Sequence, residues 1–318
     1  TMIKELRLVR GAVAKKDIVP VLTHFHIYNG RIQGGNGKMS IDMACEELTG
    51  LNVTVPAERF LKACDACDGE PKIKVTPAGN LSVKNKKFGA VLPLADHEKF
   101  PVAESYGFEK WDFSALITAL RTLQPFIGDD ATRPWCNGIW FNDGYAYATN
   151  NIVLARTKIN MEASFILPAY AIEEIIRIGM TPIGYQLTEQ ALYLHYENTM
   201  WVRSQLLEGQ WPESVAGMIK ETKTNPIDGT FTEAITKIVP FCPEVTFPRI
   251  CLNDGKVATD DGVMTAQVDG FKDMQGYYHA TPLLAVAQVA THIDFSTWPK
   301  PSYFKGHNIE GILIGVKA

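Results

Sequence analysis

The sequence lacks the long apolar runs, the regular cysteine spacing and the opening signal segment that mark several classes of protein. No apolar run approaches the ~20 residues that a membrane-spanning helix needs, so we expect no membrane partner. No charged segment followed by an apolar one opens the chain, and we therefore expect no secretion. The 6 cysteines among 318 residues are irregularly spaced, which favours free thiols in a reducing cytosol over a disulfide framework.

Motifs for catalysis are also missing. The sequence contains no Gly-rich phosphate loop, no Ser nucleophile elbow and no paired carboxylates in an acid/base context. Asp129-Asp130 and Asp260-Asp261 are adjacent acids, but they fall in predicted turns, where Asp is favoured for backbone reasons. We therefore predict no enzymatic activity, no catalytic residue and no cofactor.

Two short motifs leave a metal or redox site open as an alternative. Cys64 and Cys67 form a C-x-x-C motif, without a second Cys or His pair at zinc-ligand spacing nearby. They share a predicted helix face with Phe60, which favours small apolar core residues. His24 and His26 point to one side of a predicted strand, but no third ligand is evident. We predict no metal site, and a metal or redox enzyme built on these four residues is the alternative.

What the sequence does contain is one pattern repeated three times. Each copy has a Gly turn, strand residues and a polar turn, followed by a Pro that opens an amphipathic helix. The spacing of roughly 110 residues is too long for a solenoid repeat and suits a whole small domain. The pattern predicts three like domains at 1–104, 105–215 and 216–318. The Gly turns are Asn29-Gly30, Asp143-Gly144 and Asp254-Gly255, and the helix-opening prolines are Pro56, Pro168 and Pro282.

The copies share a fold class and a joint. Each has two predicted helices and several short strands with alternating polar and apolar residues, which indicates an α+β domain with helices on antiparallel sheet. An aromatic residue followed by Pro ends a strand and begins a linker at Phe100-Pro101 and again at Trp211-Pro212. The joints mark the predicted domain boundaries.

The net charge of −4 argues at first against a nucleic-acid-binding protein. The charge is uneven, however, because residues 1–104 carry +3, residues 105–215 carry −5 and residues 216–318 carry −2. Local charge steers a polyanion more than the total does. Cations on like helices would match an array of phosphates without reading bases, although a solvated face is the alternative. The candidate DNA-binding residues are Arg7, Arg10, Lys15, Lys16, Arg59, Lys62, Arg121, Arg133, Arg177 and Lys237.

Several short segments, in their order and spacing, resemble the bacterial DNA polymerase III beta subunit, the sliding clamp. The resemblance covers nearly the whole chain. It implies three tandem DNA-clamp domains, with helices on the inner face and antiparallel sheet on the outer face. Two chains would form a homodimeric ring around duplex DNA in the cytoplasm of a bacterial cell or phage-infected host, and the compact length hints at a phage-encoded version. The segments are Val19-Pro20-Val21-Leu22, Val55-Pro56-Ala57-x-Arg59-Phe60, Phe88-x-x-x-Leu92-Pro93, Phe100-Pro101, Asn137-Gly138 and Ala148-Thr149-Asn150.

The resemblance also implies a hydrophobic cleft between the second and third domains. In this family the cleft receives short linear peptides from the replicative polymerase and the clamp loader. The apolar alternation of the last strand is equally compatible with plain strand core. The cleft residues implied here are Trp135, Cys136, Thr149, Asn151, Leu154, Ile219, Ile312, Ile314, Val316 and Lys317.

A dimer interface is the last implied site. The family pairs basic and apolar residues of the first domain with acids on the last helix of the third, but the helix at 283–291 has no acid and Asp294 is the nearest. Ring closure would then depend on apolar contact or be weak. The alternative function is a clamp-fold protein-interaction module that does not encircle DNA. The implied interface residues are Lys86, Lys87, Phe88, Leu284 and Gln288.

Overall fold

The computed structural model describes residues 2–16, 18–243, 248–269, 271 and 274–317. The chain forms two compact units. The first contains residues 1–114 and 173–206, and the second contains residues 115–172 and 207–318. The three-domain boundaries stay a prediction. The α+β class is confirmed, because helices accompany strands whose described pairings are all antiparallel.

The helices follow the predicted pattern with small shifts. The first α-helix ends at Val9, and the chain continues as a 3₁₀ turn over Arg10–Ala12. Gly11 explains this end, since glycine costs about 1 kcal/mol in a helix interior. Pro56 ends a strand and the helix begins one residue later. The helices are α1 Met2–Val9, α2 Ala57–Asp65, α3 Leu116–Leu123, α4 Ala169–Ile178, α5 Glu213–Ala216, α6 Gly229–Ile238 and α7 Ala280–Val289.

The strands are short. Arg249–Asn253 and Gln275–His279 alternate buried and more exposed side chains, as half-buried strands do, whereas Met39–Ala44 and Tyr145–Thr149 are buried over most of their length. They are β1 His24–Tyr28, β2 Arg31–Gly35, β3 Met39–Ala44, β4 Val53–Pro56, β5 Lys72–Val75, β6 Asn80–Lys84, β7 Gly89–Pro93, β8 Glu109–Lys110, β9 Gly138–Asn142, β10 Tyr145–Thr149, β11 Val153–Lys158, β12 Phe165–Pro168, β13 Gly184–Leu187, β14 Ala191–His195, β15 Trp201–Gln205, β16 Asn225–Pro226, β17 Arg249–Asn253, β18 Lys256–Thr259, β19 Thr265–Gln267, β20 Gln275–His279, β21 His292–Ile293, β22 Ser302–Lys305 and β23 Glu310–Leu313.

The described residues of each unit form one large and one small sheet. The first unit has the order β4-β1-β2-β3-β15-β14-β13-β8 in its large sheet and β5-β6-β7 in its small one. The second unit has β12-β9-β10-β11-β23-β22-β21-β16 and β19-β18-β17-β20. The two large sheets follow one plan, in which the third strand of one repeat pairs with the last strand of the next repeat.

The repeated Gly turns form the same hairpin in all three copies. Each turn joins the first two strands of its repeat, and both of its central residues have positive φ. The values are 48° and 70° at Asn29-Gly30, 48° and 77° at Asp143-Gly144, and 43° and 75° at Asp254-Gly255. Such φ values match the type I′ turn that suits the twist of a two-residue hairpin, and they explain the Asn or Asp before each Gly.

A buried carboxylate organises the first large sheet. Asp42 is fully buried and accepts hydrogen bonds from Tyr28 Oη at 2.6 Å, Arg31 Nε at 2.6 Å and Gln33 Nε2 at 3.0 Å. Gln33 also donates to the carbonyl of Ala103 at 2.9 Å and accepts from its amide at 2.8 Å. The network therefore fixes the linker after the first joint to the sheet.

We predict that Asp42→Ala lowers the free energy of unfolding of the first unit by about 2–4 kcal/mol. The substitution leaves the Arg31 and Gln33 donors without their buried acceptor. Calorimetric unfolding of the full chain measures the effect as a lower midpoint of one transition. Asp68→Ala, at an exposed position, is the matched control and should change the midpoint little. Equal midpoints for the two variants would show that the network does not stabilise the sheet.

Candidate functional site

An apolar groove lies in the second unit, where β11 pairs with β23. Leu154 stands opposite Ile312 in this pairing, and both side chains are almost fully buried at the groove floor. Met218 and Ile314 lie at the rim and are 47% and 40% exposed. Apolar side chains at the rim of a concave apolar surface suit the anchors of a docked peptide. The groove encloses about 140 Å³ and is lined by Trp135, Thr149, Asn151, Ile152, Val153, Leu154, Val215, Met218, Ile312 and Ile314.

Trp211, at the second joint, holds the wall of the groove in place. Its indole Nε1 donates to the Trp135 carbonyl at 2.9 Å, and the two rings meet edge to face at 5.2 Å. Trp140 stacks on Trp211 at a centroid distance of 5.2 Å. Because Trp211 is anchored in this way, the segment that follows it brings Val215 and Met218 to the groove.

The polar end of the groove is a tight turn between β10 and β11. Asn150 Oδ1 accepts from the amides of Ile152 at 3.1 Å and Val153 at 2.8 Å. Asn151 takes a left-handed φ of 67°, which Asn tolerates better than most residues other than Gly. Arg133 donates from Nη1 to Asn151 Oδ1 at 2.8 Å, so this cation lies beside the groove and not on a helix.

The structure brings together six of the ten residues that the resemblance implies for the cleft: Trp135, Thr149, Asn151, Leu154, Ile312 and Ile314. The other four do not line the groove. Cys136 is fully buried, and burial raises the pKa of its thiol. Ile219 is buried in a cluster with Leu154 and Ile312. The Val316 amide donates to the Tyr277 carbonyl at 2.7 Å, and Lys317 is exposed beside it.

Sequence reasoning missed Ile152, Val153, Val215 and Met218 in this groove. Ile152 and Val153 follow directly after Asn150 and Asn151. The resemblance implied only Thr149, Asn151 and Leu154 in this part of the chain. Val215 and Met218 follow the recurring joint at Trp211-Pro212. The joint is the sequence feature from which Val215 and Met218 could have been predicted, because a buried aromatic side chain next to a linker holds the linker against the sheet.

The predicted DNA-binding cations divide into two groups. Members of the first group pair with a carboxylate: Arg7 with Asp65 at 3.0 Å, Arg10 with Glu58, Arg133 with Asp130 at 3.9 Å, Arg177 with Glu174, and Lys237 with Glu233 at 2.6 Å. The pairs of Arg7, Arg10 and Lys237 are exposed and therefore weak, so they leave these cations able to exchange partners. Glu174 is buried, and Arg177 also donates to the Leu8 carbonyl at 2.8 Å, so this cation is held in place. In the second group, no carboxylate of the described residues forms an ion pair with the cation. Its members are Lys15, Lys16, Arg59, Lys62 and Arg121. Lys15 and Lys16 follow the 3₁₀ turn and lie outside the helices, whereas the other three lie on α2 and α3.

The implied interface residues occupy ordinary surface positions. Lys86, Lys87 and Gln288 are exposed, while Phe88 and Leu284 are half-buried. Asp294, the acid nearest to the last helix, is 4% exposed. Its Oδ1 accepts from the Ser296 amide at 3.0 Å and from the Ser296 hydroxyl at 2.6 Å. Asp294 is therefore a buried capping acid and does not supply charge to an interface.

Two residues of the alternative metal site, His26 and Cys64, are packed within the protein. His26 stacks on Phe100 at 4.9 Å and bonds Thr54 at 3.0 Å through Nδ1. Cys64 is fully buried, and burial raises the pKa of its thiol to about 12. Among the described residues, no three His, Cys, Asp or Glu side chains lie close enough to hold a metal ion. No helix of the described residues is long and apolar enough to cross a membrane.

Comparison with solved structures gives full-length matches to bacterial sliding clamps. The beta subunit of DNA polymerase from Streptococcus pyogenes matches with a TM-score of 0.85 and 13% identity, over 99% of this chain and 97% of that one. The Helicobacter pylori beta clamp bound to a DNA ligase peptide gives 0.79 and 14% over the same shares. The Pseudomonas aeruginosa clamp bound to griselimycin gives 0.81 and 16%, over 100% and 97%.

The matches show that the chain has the sliding-clamp fold, as the resemblance implies. No protein-family model matches the sequence, and no curated protein matches it. With identities of 13–16%, the likeness shows the fold and not the function.

Proposed function

We propose that this protein is a DNA polymerase processivity factor, a sliding clamp that encircles duplex DNA and tethers the replicative polymerase. The observation that carries the proposal is the full-length likeness to sliding clamps, which covers 97% of the compared chains. The mechanism is topological. A closed ring keeps a bound partner on DNA without a chemical step, and the proposal therefore assigns no catalytic residue.

Open sheet edges support closure of a ring from two copies. In the large sheets, β3 pairs with β15 and β11 pairs with β23, so the third strand of one repeat joins the last strand of the next. By the same rule β19, the third strand of the third repeat, and β7, the last strand of the first, remain without such a partner, and each lies at an edge of its small sheet. Unpaired edges are templates for pairing with another chain. Pairing β7 of one copy with β19 of the other would extend the same rule of strand pairing from one chain to the next.

The charges at these edges are complementary. The β5-β6-β7 sheet carries exposed lysines on its strands and turns, at Lys72, Lys74, Lys84, Lys86 and Lys87. The turns around β18 and β19 carry exposed acids, at Asp254, Asp261 and Asp269, while Asp260 there pairs with Arg249 at 2.6 Å. Opposite charges steer two surfaces into register. The acids that the last helix lacks would thus come from the neighbouring sheet, and Val91 at 59% exposure would add apolar contact on β7.

The helix cations would hold DNA loosely through its phosphates. Contacts of long, exposed Lys and Arg side chains are sequence-independent, and their strength falls with salt. Weak, water-mediated contacts suit sliding, because tight base-specific hydrogen bonds would stall it. The net charge of −4 would limit adhesion to nucleic acid elsewhere on the surface.

The groove at the β11–β23 junction would bind short linear peptides of the polymerase and the clamp loader. A DNA ligase peptide is bound to the Helicobacter pylori clamp, which supports a peptide partner for this fold. Here Leu154 and Ile312 would receive apolar anchors, while Met218 and Ile314 would cover them. The second candidate function is a protein-interaction module that keeps this groove but does not encircle DNA. A last helix without acids favours it, and a chain that stays monomeric at micromolar concentrations would support it.

We predict that the protein stays on closed circular DNA during gel filtration and is released when the same DNA is linearised. A ring leaves only over a free end. The Val91→Asp variant should be released from both forms, because the new charge at the β7 edge opposes pairing with an acidic neighbour. Equal release of the unaltered protein from circular and linear DNA would refute encirclement.

We predict that Arg59→Gln, Lys62→Gln and Arg121→Gln, on α2 and α3, together weaken binding to duplex DNA and lower the slope of log K against log salt by about 2–3. None of the three cations pairs with a described carboxylate, so each is available to a phosphate. Fluorescence anisotropy at several salt concentrations measures the slope. Lys158→Gln, Lys256→Gln and Lys300→Gln, at exposed positions outside the helices, form the matched triple and should leave the slope unchanged. Equal slopes for the two triple variants would show that the helix cations do not bind DNA phosphates.

We predict that Ile314→Asp weakens binding of griselimycin by about tenfold or more, because a charge at the rim opposes burial of an apolar ligand. Ile314 is 40% exposed, so the variant should fold normally. Val263→Asp, at a 74% exposed position outside the groove, is the matched control. Isothermal titration calorimetry gives the affinities. If both variants bind as the unaltered protein does, the groove is not the ligand site.

A further inference from the structure

A second groove lies in the first unit, at the β3–β15 junction. In register, Ser40 stands opposite Arg203 there, as Leu154 stands opposite Ile312 at the β11–β23 junction. Both grooves are also bordered by the segment that follows an aromatic-Pro joint. The same position in the fold is thus apolar at one junction and polar at the other. The second groove encloses about 400 Å³ and is lined by Gly35, Gly37, Ser40, Pro101, Val102, Ala103, Glu104, Tyr106, Tyr193 and Arg203.

Arg203 provides the charge of this groove. Its guanidinium lies over the Tyr193 ring at 5.9 Å, and the residue is half-buried. Within the described part of the chain, no carboxylate pairs with it and no hydrogen bond satisfies its donors. A guanidinium has five N–H donors in a planar fork that matches a carboxylate bidentately. A partly desolvated Arg with this geometry is therefore ready for an anionic group from outside the chain.

The wall formed by the linker is partly apolar and is held in place. Val102 is 44% exposed and Tyr106 is 77% exposed. The Tyr106 hydroxyl donates to the Glu104 carboxylate, so the Val102 side chain and the Tyr106 ring offer the apolar surface. The linker that carries them is tied to the sheet by the paired hydrogen bonds between Gln33 and Ala103, at 2.9 and 2.8 Å. A wall that is ordered before binding lowers the entropy cost of docking.

We propose that this groove is a second docking site, which takes a peptide segment carrying one carboxylate next to an apolar or aromatic side chain. The carboxylate pairs with Arg203, and the apolar side chain packs between Val102 and Tyr106. Glu104 also lines this groove, and its negative charge repels a bound anion. Its like charge disfavours a doubly charged phosphate more than a single carboxylate. The site lies within one unit of one chain, so it requires neither ring closure nor the apolar groove.

The test titrates the full-length protein with a blocked pentapeptide whose central residues are phenylalanine, aspartate and leucine. Calorimetry should show saturable binding that weakens with salt, and the same peptide with asparagine should bind about tenfold more weakly. Arg203→Gln should cause a similar loss, while Arg203→Lys should restore part of it. Glu104→Gln should tighten binding by removing a like charge. Thermal unfolding of each variant checks the fold.

Ile314→Asp separates this site from the apolar groove, since it should leave binding of the acidic peptide unchanged. The proposal is overturned if Ile314→Asp abolishes binding while Arg203→Gln does not, because the peptide then occupies the other groove. Equal affinity for the aspartate and asparagine peptides also overturns it, as does the absence of saturable binding up to about 10 mM peptide. Full displacement by inorganic phosphate at equal concentration would indicate a simple anion site and would refute the peptide assignment.

Discussion

Antiparallel pairing between strands of different repeats is the interaction on which the rest of this structure depends. An edge strand exposes a row of unpaired N–H and C=O groups, and burying them without partners is costly. Pairing β3 with β15 and β11 with β23 satisfies these groups at two junctions. Both grooves lie at these junctions, and the same rule leaves β7 and β19 as the edges that a second copy would cover. One backbone constraint thus underlies the fold, the sites and the proposed assembly.

A buried aromatic side chain supports each junction from the side of the linker. Phe100 stacks on His26 at 4.9 Å in the first unit, and Trp211 packs against Trp135 and Trp140 in the second. These anchors hold the following residues against the sheet. Because the scaffold is the same at both joints, the difference between the grooves comes from a few side chains. The groove with Leu154 and Ile312 suits apolar anchors, whereas the groove with Arg203 suits a carboxylate.

Much of the fold could be predicted from local sequence. The three Asn-Gly or Asp-Gly turns have the positive φ values that their residues favour, and the helices lie near their predicted positions. The candidate site was harder to predict from the sequence. Arg133 lies beside Asn151 and not on a helix, and Asp294 is buried against Ser296. Neither placement follows from residue type or periodicity, since both depend on which loops the sheets bring together.

By itself, the sequence determined the repeat, the turn chemistry, the apolar faces of the helices and the local excess of positive charge, because these depend on neighbours a few residues apart. Only the tertiary structure decided which strands pair across repeats and in which register. Leu154 meets Ile312, and Ser40 meets Arg203, across more than one hundred and fifty residues of chain. A register shift of one residue would turn every side chain to the other face of its strand. What each groove can bind is therefore set by packing and by pairing of the backbone, not by the local pattern of either strand.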